Sequence, residues 1–180
     1  MRLSAISLSL LLAVCVPAME LPQAPTGFSW REVPEIKAAF LMPNGWHFKR
    51  QAQGNTLAFF ITQEDIDKEG RFNTGLTVNV LQKVKPGTAV EYAKTFIGRM
   101  ATDKHAGEVW TRQFGPLHGF GCRFKDTNAT GTPIVHMLMV ANPKTGTLYL
   151  FIFEAPDADW PAARAKGEKI MNSLAVDDEI

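Results

Sequence analysis

Two neighbouring segments in the C-terminal half of the chain are apolar on both faces of an extended backbone. Residues 134–140 read Ile-Val-His-Met-Leu-Met-Val, and residues 148–153 read Leu-Tyr-Leu-Phe-Ile-Phe. Successive side chains of a strand point to opposite faces of the sheet, so a strand without polar alternation must be covered on both sides. The turn-forming residues 142–146, Asn-Pro-Lys-Thr-Gly, connect the two segments and favour a hairpin. The chain must therefore place structure on both faces of a sheet.

Two amphipathic helices are predicted to supply that cover. Thr88 and Glu91 have the spacing of a capping box, in which each side chain satisfies a free backbone N–H at the start of a helix. The helix is expected to end near residues 103–105, and its apolar face is formed by Tyr92, Ala93, Phe96, Ile97 and Met100. In the second helix, Asp157 or Asp159 is the expected cap. Pro161 lies in the first turn, where the backbone N–H that proline lacks would have no partner within the helix. The apolar stripe of this helix is Trp160, Ala163, Ile170, Met171 and Leu174.

The other segments are predicted strands, joined mostly by connections that suit hairpins. Their expected bounds are 28–33, 38–42, 46–52, 56–62, 75–84, 108–114, 119–126, 134–141 and 147–155. Pro43-Asn44-Gly45 is a turn, and we interpret the strands on either side of it as a β-meander. Residues 64–73 are polar and form a loop or one short helical turn. The predicted fold class is α/β (α+β), a three-layer α/β/α sandwich with a largely antiparallel central sheet and two main helices.

Residues 1–18 have the three parts of a secretory signal peptide. A single basic residue precedes an apolar stretch over residues 5–16. Val16 and Ala18 then supply small residues at the −3 and −1 positions of a cleavage site after Ala18. The apolar stretch is shorter than the ~20 residues that a membrane-spanning helix needs. We therefore expect cleavage after Ala18 and a periplasmic or secreted protein. In the alternative, a lipid on Cys15 would anchor the mature chain, although Val14 departs from the small residue that such a motif carries before its cysteine.

Length and cysteine content indicate one domain that is held together by packing. A chain of 180 residues has the size of a single compact domain. We divide it into the signal peptide, an extended lead-in over residues 19–27, one domain over residues 28–175 and an acidic tail over residues 176–180. Cleavage of the signal peptide would leave Cys122 as the only cysteine, so the mature chain would form no internal disulfide.

The order of these elements and several short motifs resemble the PsbP-like proteins. An apolar strand runs into Pro43-Asn44-Gly45-Trp46, and residues 75–80 read Gly-Leu-Thr-Val-Asn-Val before a helix that contains Tyr92-Ala93. A late hairpin leads to Asp159-Trp160 and to a helix that ends in Ile-Met-Asn-Ser-Leu at residues 170–174. Each motif is weak by itself, and their order is moderately specific.

The resemblance covers about residues 27–175 and implies the α/β/α sandwich. Plant members of the family are extrinsic lumenal subunits of photosystem II, a nuclear relative in the wider fold binds a small GTPase, and bacterial secreted members are mostly uncharacterised. The resemblance therefore implies binding or assembly, and it supplies no catalytic residue. The signal peptide is bacterial in type, unlike a plastid transit peptide, so we identify the chain as similar to a bacterial secreted member.

His118 and Cys122 are the most suggestive pair of reactive side chains. Both lie on one face of an extended strand, but a separation of four residues along a strand spans ~13 Å, which is too far for one metal ion. Phe120 and Phe124 flank Cys122 on the same face, which predicts a buried and inert thiol. His136 lies within an apolar strand, so we expect a core histidine that is hydrogen-bonded to a neighbour.

No cofactor or metal is predicted. The sequence contains no zinc motif, glycine-rich phosphate loop or Gly-x-Ser-x-Gly elbow. An acidic cluster could bind a hard cation, but its spacing does not match an EF-hand loop, and a solvated loop is the favoured interpretation. The cluster comprises Glu64, Asp65, Asp67 and Glu69.

Charges are unevenly distributed along the chain, although the formal net charge is only +1. A net charge near zero gives no footprint for nucleic acid or an anionic membrane. Between residues 83 and 125, however, eight basic residues face three acidic ones. If the basic residues gather in space, they form a docking face for an acidic protein partner; the alternative is a set of solvated helix and strand faces. The eight residues are Lys83, Lys85, Lys94, Arg99, Lys104, Arg112, Arg123 and Lys125.

Three functions follow from these observations. The leading hypothesis is an exported, non-catalytic binding or assembly protein with an unidentified protein partner, based on the resemblance and on the lack of a catalytic constellation. The first alternative is a periplasmic protein that binds a small ligand or lipid in its aromatic-rich interior, which requires an enclosed apolar cavity. The second alternative is an enzyme that uses Cys122 as its nucleophile.

Overall fold

The computed structural model describes residues 21–53, 56–81, 85, 87–127, 133–173 and 175–176. The predicted signal peptide, Lys83, Leu174 and residues 177–180 of the predicted tail lie outside these residues. The described strands are β1 (Phe28–Val33), β2 (Ala38–Pro43), β3 (His47–Gln53), β4 (Thr56–Thr62), β5 (Gly75–Leu81), β6 (Glu108–Phe114), β7 (Leu117–Lys125), β8 (Pro133–Ala141), β9 (Leu148–Pro156) and β10 (Ala175–Val176). The described helices are α1 (Ile66–Glu69), α2 (Ala89–Asp103) and α3 (Trp160–Asn172).

Seven strands form one antiparallel sheet in the order β3-β4-β5-β9-β8-β7-β6. The two strands without polar alternation, β8 and β9, stand side by side inside this sheet, with Met137 opposite Ile152 and Leu138 opposite Phe151. Strands in this position are covered on both faces, which explains why both faces of their sequences are apolar. The predicted, largely antiparallel central sheet is confirmed.

Helix α2 covers one face of the sheet, over β7 and β8. Its buried residues Ala93 and Ile97 belong to the same apolar cluster as Cys122, Met137 and Met139 of the sheet. The predicted inward face of β7 is therefore the face that meets α2.

Helix α3 and a second sheet cover the opposite face. Trp160 and Ile170 of α3 are buried in a core cluster that also contains Phe40 of β2. The ring centroid of Phe40 lies 6.1 Å from that of Phe59 and 6.3 Å from that of Phe151, so aromatic rings fill the space between the sheets. The arrangement is the predicted three-layer sandwich, with a small sheet placed beside α3.

The small sheet is the main difference from the sequence prediction. Its order is β1-β2-β10, and β2 does not pair with β3, so the predicted β-meander is wrong at the turn between them. At this turn the chain crosses from one sheet to the other, with Gly45 at a φ of 82°. Val176, where the predicted tail begins, belongs to β10 and pairs with Ala38 of β2.

The predicted helix caps are also corrected. The Thr88 side chain makes no capping hydrogen bond to α2, and its hydroxyl instead donates to the Lys85 carbonyl at 2.7 Å. The backbone of Thr88 is already helical, so its hydroxyl is not placed as a cap requires. Asp159 precedes α3 but likewise makes no side-chain cap, whereas Pro161 stands in the first turn as predicted. Among the described residues, no helix has the length and apolar character needed to cross a membrane.

Candidate functional site

The thiol that the enzyme hypothesis requires is buried. Cys122 lies on β7 beneath α2 with no exposed surface, and this desolvation raises the pKa of the thiol to about 11. His118 lies on the same strand next to the loop end of β7, four residues away. The predicted burial of Cys122 is confirmed, and a protonated, covered thiol is a poor nucleophile.

The Cys122 thiol is expected to react slowly in the folded protein. In a Cys15→Ser variant, where Cys122 is the only cysteine, a thiol reagent at pH 8 should modify the native chain at least ~100-fold more slowly than the urea-unfolded chain. The rates are measured by absorbance with a chromogenic disulfide. Equal rates would restore Cys122 as a candidate nucleophile.

A cleft between α3 and strands β6–β8 gathers more functional groups than any other described opening. Its volume is about 160 Å³. Its walls come from β6, from the middle of β7 and β8 and from the C-terminal half of α3. The lining side chains that carry polar or aromatic groups are Glu108, Trp110, Arg112, Arg123, His136, Arg164, Glu168 and Asn172.

The guanidinium of Arg123 is at the centre of this cleft. Its Nη1 is 2.8 Å from a Glu108 oxygen, its Nη2 is 3.8 Å from Glu168, and its Nε donates to Nδ1 of His136 at 3.1 Å. The side chain is only 15% exposed, although the strand pattern predicts that Arg123 points outward. Because the sheet has two covered faces, the residue that points away from α2 points towards α3. Arg123 is thus held by one hydrogen bond and two ion pairs within the chain, so its positive charge is compensated there.

A glycine allows the aromatic wall of the cleft to form. Trp110 lies across Gly121 of the neighbouring strand, where a Cβ atom would come within 2.3 Å of the indole ring. The indole stacks on His136 with ring centroids 4.4 Å apart. Such an aromatic ring over a strand glycine covers backbone that would otherwise be exposed.

His136 is the core histidine that the sequence predicts, with Arg123 as its neighbour. Burial lowers the pKa of His136 to about 4, and the positive charges of Arg123 and Arg164 act in the same direction, against Glu168. The ring is therefore neutral at physiological pH, which allows Nδ1 to accept the hydrogen bond.

The lowered pKa of His136 predicts an acid-sensitive fold. In the unfolded chain His136 binds a proton below about pH 6.5, whereas in the folded chain it binds one only near pH 4. The stability that neutral His136 contributes is therefore fully present above pH 6.5 and is lost as the pH falls towards 4. At 1.36 kcal/mol per unit, lowering the pH from 6.5 to 5 should cost about 2 kcal/mol through this residue. His136→Gln, which keeps an acceptor for Arg123, should remove that part of the pH dependence in urea unfolding. An identical slope in wild type and His136→Gln would contradict the assignment.

The acidic cluster serves the structure of its own loop. Asp65 accepts a hydrogen bond from the backbone N–H of Asp67 at the start of α1 and pairs with Lys68 at 2.9 Å, which lowers its pKa. Asp67 pairs with Lys49 at 2.6 Å. Among the described residues, no group of three or more potential metal ligands is found.

A second opening, of about 320 Å³, lies between Trp46, the segments on either side of α1 and the N-terminal half of α3. Trp46 forms one side with the Lys166 ammonium 5.6 Å from its ring centroid, and Glu64 and Asn73 contribute polar groups. The opening has the minimum size of a ligand pocket. It is polar and open, whereas the small-ligand hypothesis requires an enclosed apolar cavity.

The structure divides the eight basic residues between two faces. Lys83 lies outside the described residues, and Lys104 and Lys125 pair with Asp126 and Asp157. Arg112 and Arg123 line the cleft on the α3 side. The remaining residues lie on α2 or just before it, and none forms an ion pair with a described residue: Lys85, Lys94 and Arg99.

An exposed aromatic side chain marks the same helix. Tyr92 is 46% exposed and stacks on Phe96, with ring centroids 6.4 Å apart. Arg99 follows seven residues later, which places it on the same side of the helix about 10 Å along the axis. We call Tyr92, Phe96 and Arg99 the α2 surface; Lys94, two residues after Tyr92, lies about 200° further round the helix, on its other flank. The helical periodicity predicts Tyr92 on the apolar face, whereas the structure leaves its side chain 46% exposed, because position 92 lies at the margin of that face.

Comparisons with known proteins identify the fold. No family model and no curated protein matches the chain. Among solved structures, the cyanobacterial PsbP (CyanoP) of Synechocystis sp. PCC 6803 aligns over 91% of this chain and 99% of its own, with 14% identity and a TM-score of 0.52. The chain has a PsbP-like fold. The Ran-binding protein Mog1p of Saccharomyces cerevisiae aligns over 83% of this chain and 95% of its own, with 10% identity and a TM-score of 0.50.

A third structure, from Bacteroides thetaiotaomicron, aligns over 78% of this chain and 45% of its own, with 9% identity and a TM-score of 0.50. The PsbP-like fold is thus found in proteins that share very little sequence. At such identities the likeness shows the fold alone, because sites vary on a common scaffold.

Proposed function

We propose that this PsbP-like chain is an exported, non-catalytic binding or assembly protein that binds an acidic protein partner through the α2 surface. The observation that carries the proposal is the exposed Tyr92 on the same side of α2 as Arg99, which forms no ion pair with a described residue. Tyrosine and arginine are among the residue types that dominate binding energy at protein interfaces. Export is supported by the signal-peptide pattern of residues 1–18.

The charge of the α2 surface favours an acidic partner. On α2 itself, Lys94 and Arg99 are matched in number by Glu91 and Asp103, and Lys85 just before the helix gives this segment its excess of positive charge. Cations without ion pairs retain their field at the surface, which speeds the encounter with a negatively charged protein. The interaction should therefore weaken as salt is added.

The other described surfaces support this choice. The cleft at Arg123 has the polar groups of a binding site, but its charges other than Arg112 are paired within the chain, and its 160 Å³ is below the volume of typical ligand pockets. One structural neighbour, Mog1p, is a Ran-binding protein, which is in keeping with a binding role on this fold.

Capture with matched charge variants tests the proposal. Wild-type protein and Arg99→Glu, Tyr92→Ala and Arg71→Glu variants are immobilised and exposed to extract of the organism that encodes the chain. Arg71→Glu is the control, because Arg71 is exposed on the α1–β5 loop and undergoes the same change of charge. We expect one acidic protein to be retained by wild type and Arg71→Glu, and its affinity to fall about 10-fold or more with Arg99→Glu or Tyr92→Ala. Equal retention by all four proteins would exclude the α2 surface.

A further inference from the structure

Strand β6 is an unprotected edge of the large sheet. It is the last strand in the order, and no described strand pairs with its outer side. Its pairing with β7 is continuous from Glu108 to Phe114, without a bulge, and Val109 is 60% exposed. Natural edge strands are usually blunted by lysine, proline or a bulge, because their free N–H and C=O groups invite another strand. The opposite edge, β3, follows this rule with Lys49 and Arg50.

The sequence of β6 is complementary to itself. Residues 108–112 read Glu-Val-Trp-Thr-Arg. When two copies of this strand run antiparallel about Trp110, Arg112 of each copy stands opposite Glu108 of the other, and Val109 stands opposite Thr111. Directly opposite side chains have Cβ atoms about 4.5–5.5 Å apart, within reach of an ion pair. One strand thus supplies both halves of its own interface.

The two charged groups are available for this pairing. Arg112 forms no ion pair with a described residue; it donates to the Asn172 carboxamide oxygen and lies 5.1 Å from the Phe114 ring. Glu108 is 52% exposed and holds Arg123 through Oε2, so that Oε1 remains to accept from a second guanidinium.

Trp110 does not obstruct the edge. Its indole lies over Gly121 of β7 and against His136 of β8, and therefore leans inward from β6. Within the described part of the chain, no strand pairs with the outer side of the β6 backbone.

We propose that two copies of this chain associate through antiparallel pairing of their β6 strands centred on Trp110, so that two seven-stranded sheets become one continuous sheet. The arrangement has the two-fold symmetry of most homodimers. It uses main-chain hydrogen bonds for affinity and the two Arg112–Glu108 contacts for register. The two α2 surfaces lie away from this edge strand, over β7 and β8, so the dimer goes beyond the proposed partner binding and does not depend on it.

Sedimentation equilibrium of the purified protein at low ionic strength tests the dimer. Wild type should show a monomer–dimer equilibrium. Arg112→Glu places two pairs of like charges in the interface and should weaken dimerisation at least ~10-fold, and Glu108→Arg should do the same. An equimolar mixture of the two variants should dimerise again, because each chain then meets opposite charges at both positions. Arg71→Glu, with the same change of charge away from β6, should behave as wild type.

Additional variants keep the test decisive. Glu108→Arg also removes the partner of Arg123, so its thermal unfolding is compared with that of wild type. If that variant does not fold, Val109→Lys replaces it: position 109 is exposed, and the dimer would bring its two lysines to diagonal positions about 7–8 Å apart. A monomeric wild type, dimerisation unaffected by Arg112→Glu, or a strand of another protein bound at β6 in place of the second copy would each overturn the proposal. Loss of partner capture by the α2 variants with an intact dimer would confirm that the two surfaces are separate.

Discussion

Replacement of Phe151 by alanine is expected to lower the free energy of unfolding by about 4 kcal/mol, because it removes a buried ring that no neighbour can replace. Phe151 is 1% exposed on β9, inside the large sheet. Its ring meets that of Phe40 edge to face, with centroids 6.3 Å apart. Phe40 belongs to β2, so this contact joins the large sheet to the small one. Loss of the ring would leave a cavity between the two sheets.

Phe72→Ala is the control for this prediction. Phe72 is half-buried in the loop before β5 and packs on Phe60 with ring centroids 6.4 Å apart, outside the layer between the sheets. Its removal should cost no more than about 1.5 kcal/mol. Both variants are measured by urea unfolding, with the slope against denaturant used to check that the transition remains two-state. Similar losses for the two variants would mean that the layer between the sheets does not carry the stability assigned to it.

Gly167→Val in α3 is expected to destabilise the fold by about 3 kcal/mol or more, since it forces a side chain into a space already filled. A Cβ atom at position 167 would lie 2.5 Å from two carbons of the Phe153 ring, and Phe153 is 1% exposed. The helix can accommodate the valine only by moving away from β9. The glycine therefore sets the distance between α3 and the sheet.

Gly98→Val provides the same substitution at a helix position with free space. Gly98 lies within α2, and a Cβ atom there meets nothing within 4 Å. Because valine and glycine differ by only a few tenths of a kcal/mol in helix propensity, the change should stay within about 0.5 kcal/mol. Calorimetric unfolding compares the two. Equal effects at both positions would show that contact with Phe153 does not determine the result.

The layers of this fold could be predicted because they follow from local pattern. Strands β8 and β9 are apolar on both faces, which requires cover on two sides, and α2 and α3 show the periodicity of helices that lie on a sheet. The separate sheet of β1, β2 and β10 could not be predicted in this way. The residues of the turn at 43–45 suit a strand that pairs with its neighbour as well as a strand that crosses to another sheet. Long-range contacts such as that of Phe40 with Phe151 determine which of the two arrangements forms.

The candidate sites were less predictable than the layers. The buried thiol of Cys122 follows from its two phenylalanine neighbours in sequence. The cleft depends on strand register, which places Arg123 opposite Glu108 on one side and His136 on the other. The eight basic residues are near one another in sequence, but α2 and the cleft occupy opposite sides of the sheet, so proximity along the chain does not make them one surface. Only the structure could show that Lys85, Lys94 and Arg99 form no ion pair with a described residue.

Site-specific photo-cross-linking in living cells of the source organism tests the α2 surface most directly. A photoreactive phenylalanine analogue is placed at position 92 in one strain and at position 71 in another, both exposed in the structure. If the α2 surface binds an acidic protein, illumination will yield one discrete adduct from position 92, weaker when Arg99 is changed to glutamate, and no corresponding adduct from position 71. No adduct from position 92, or the same adduct from both positions, would contradict the proposed function.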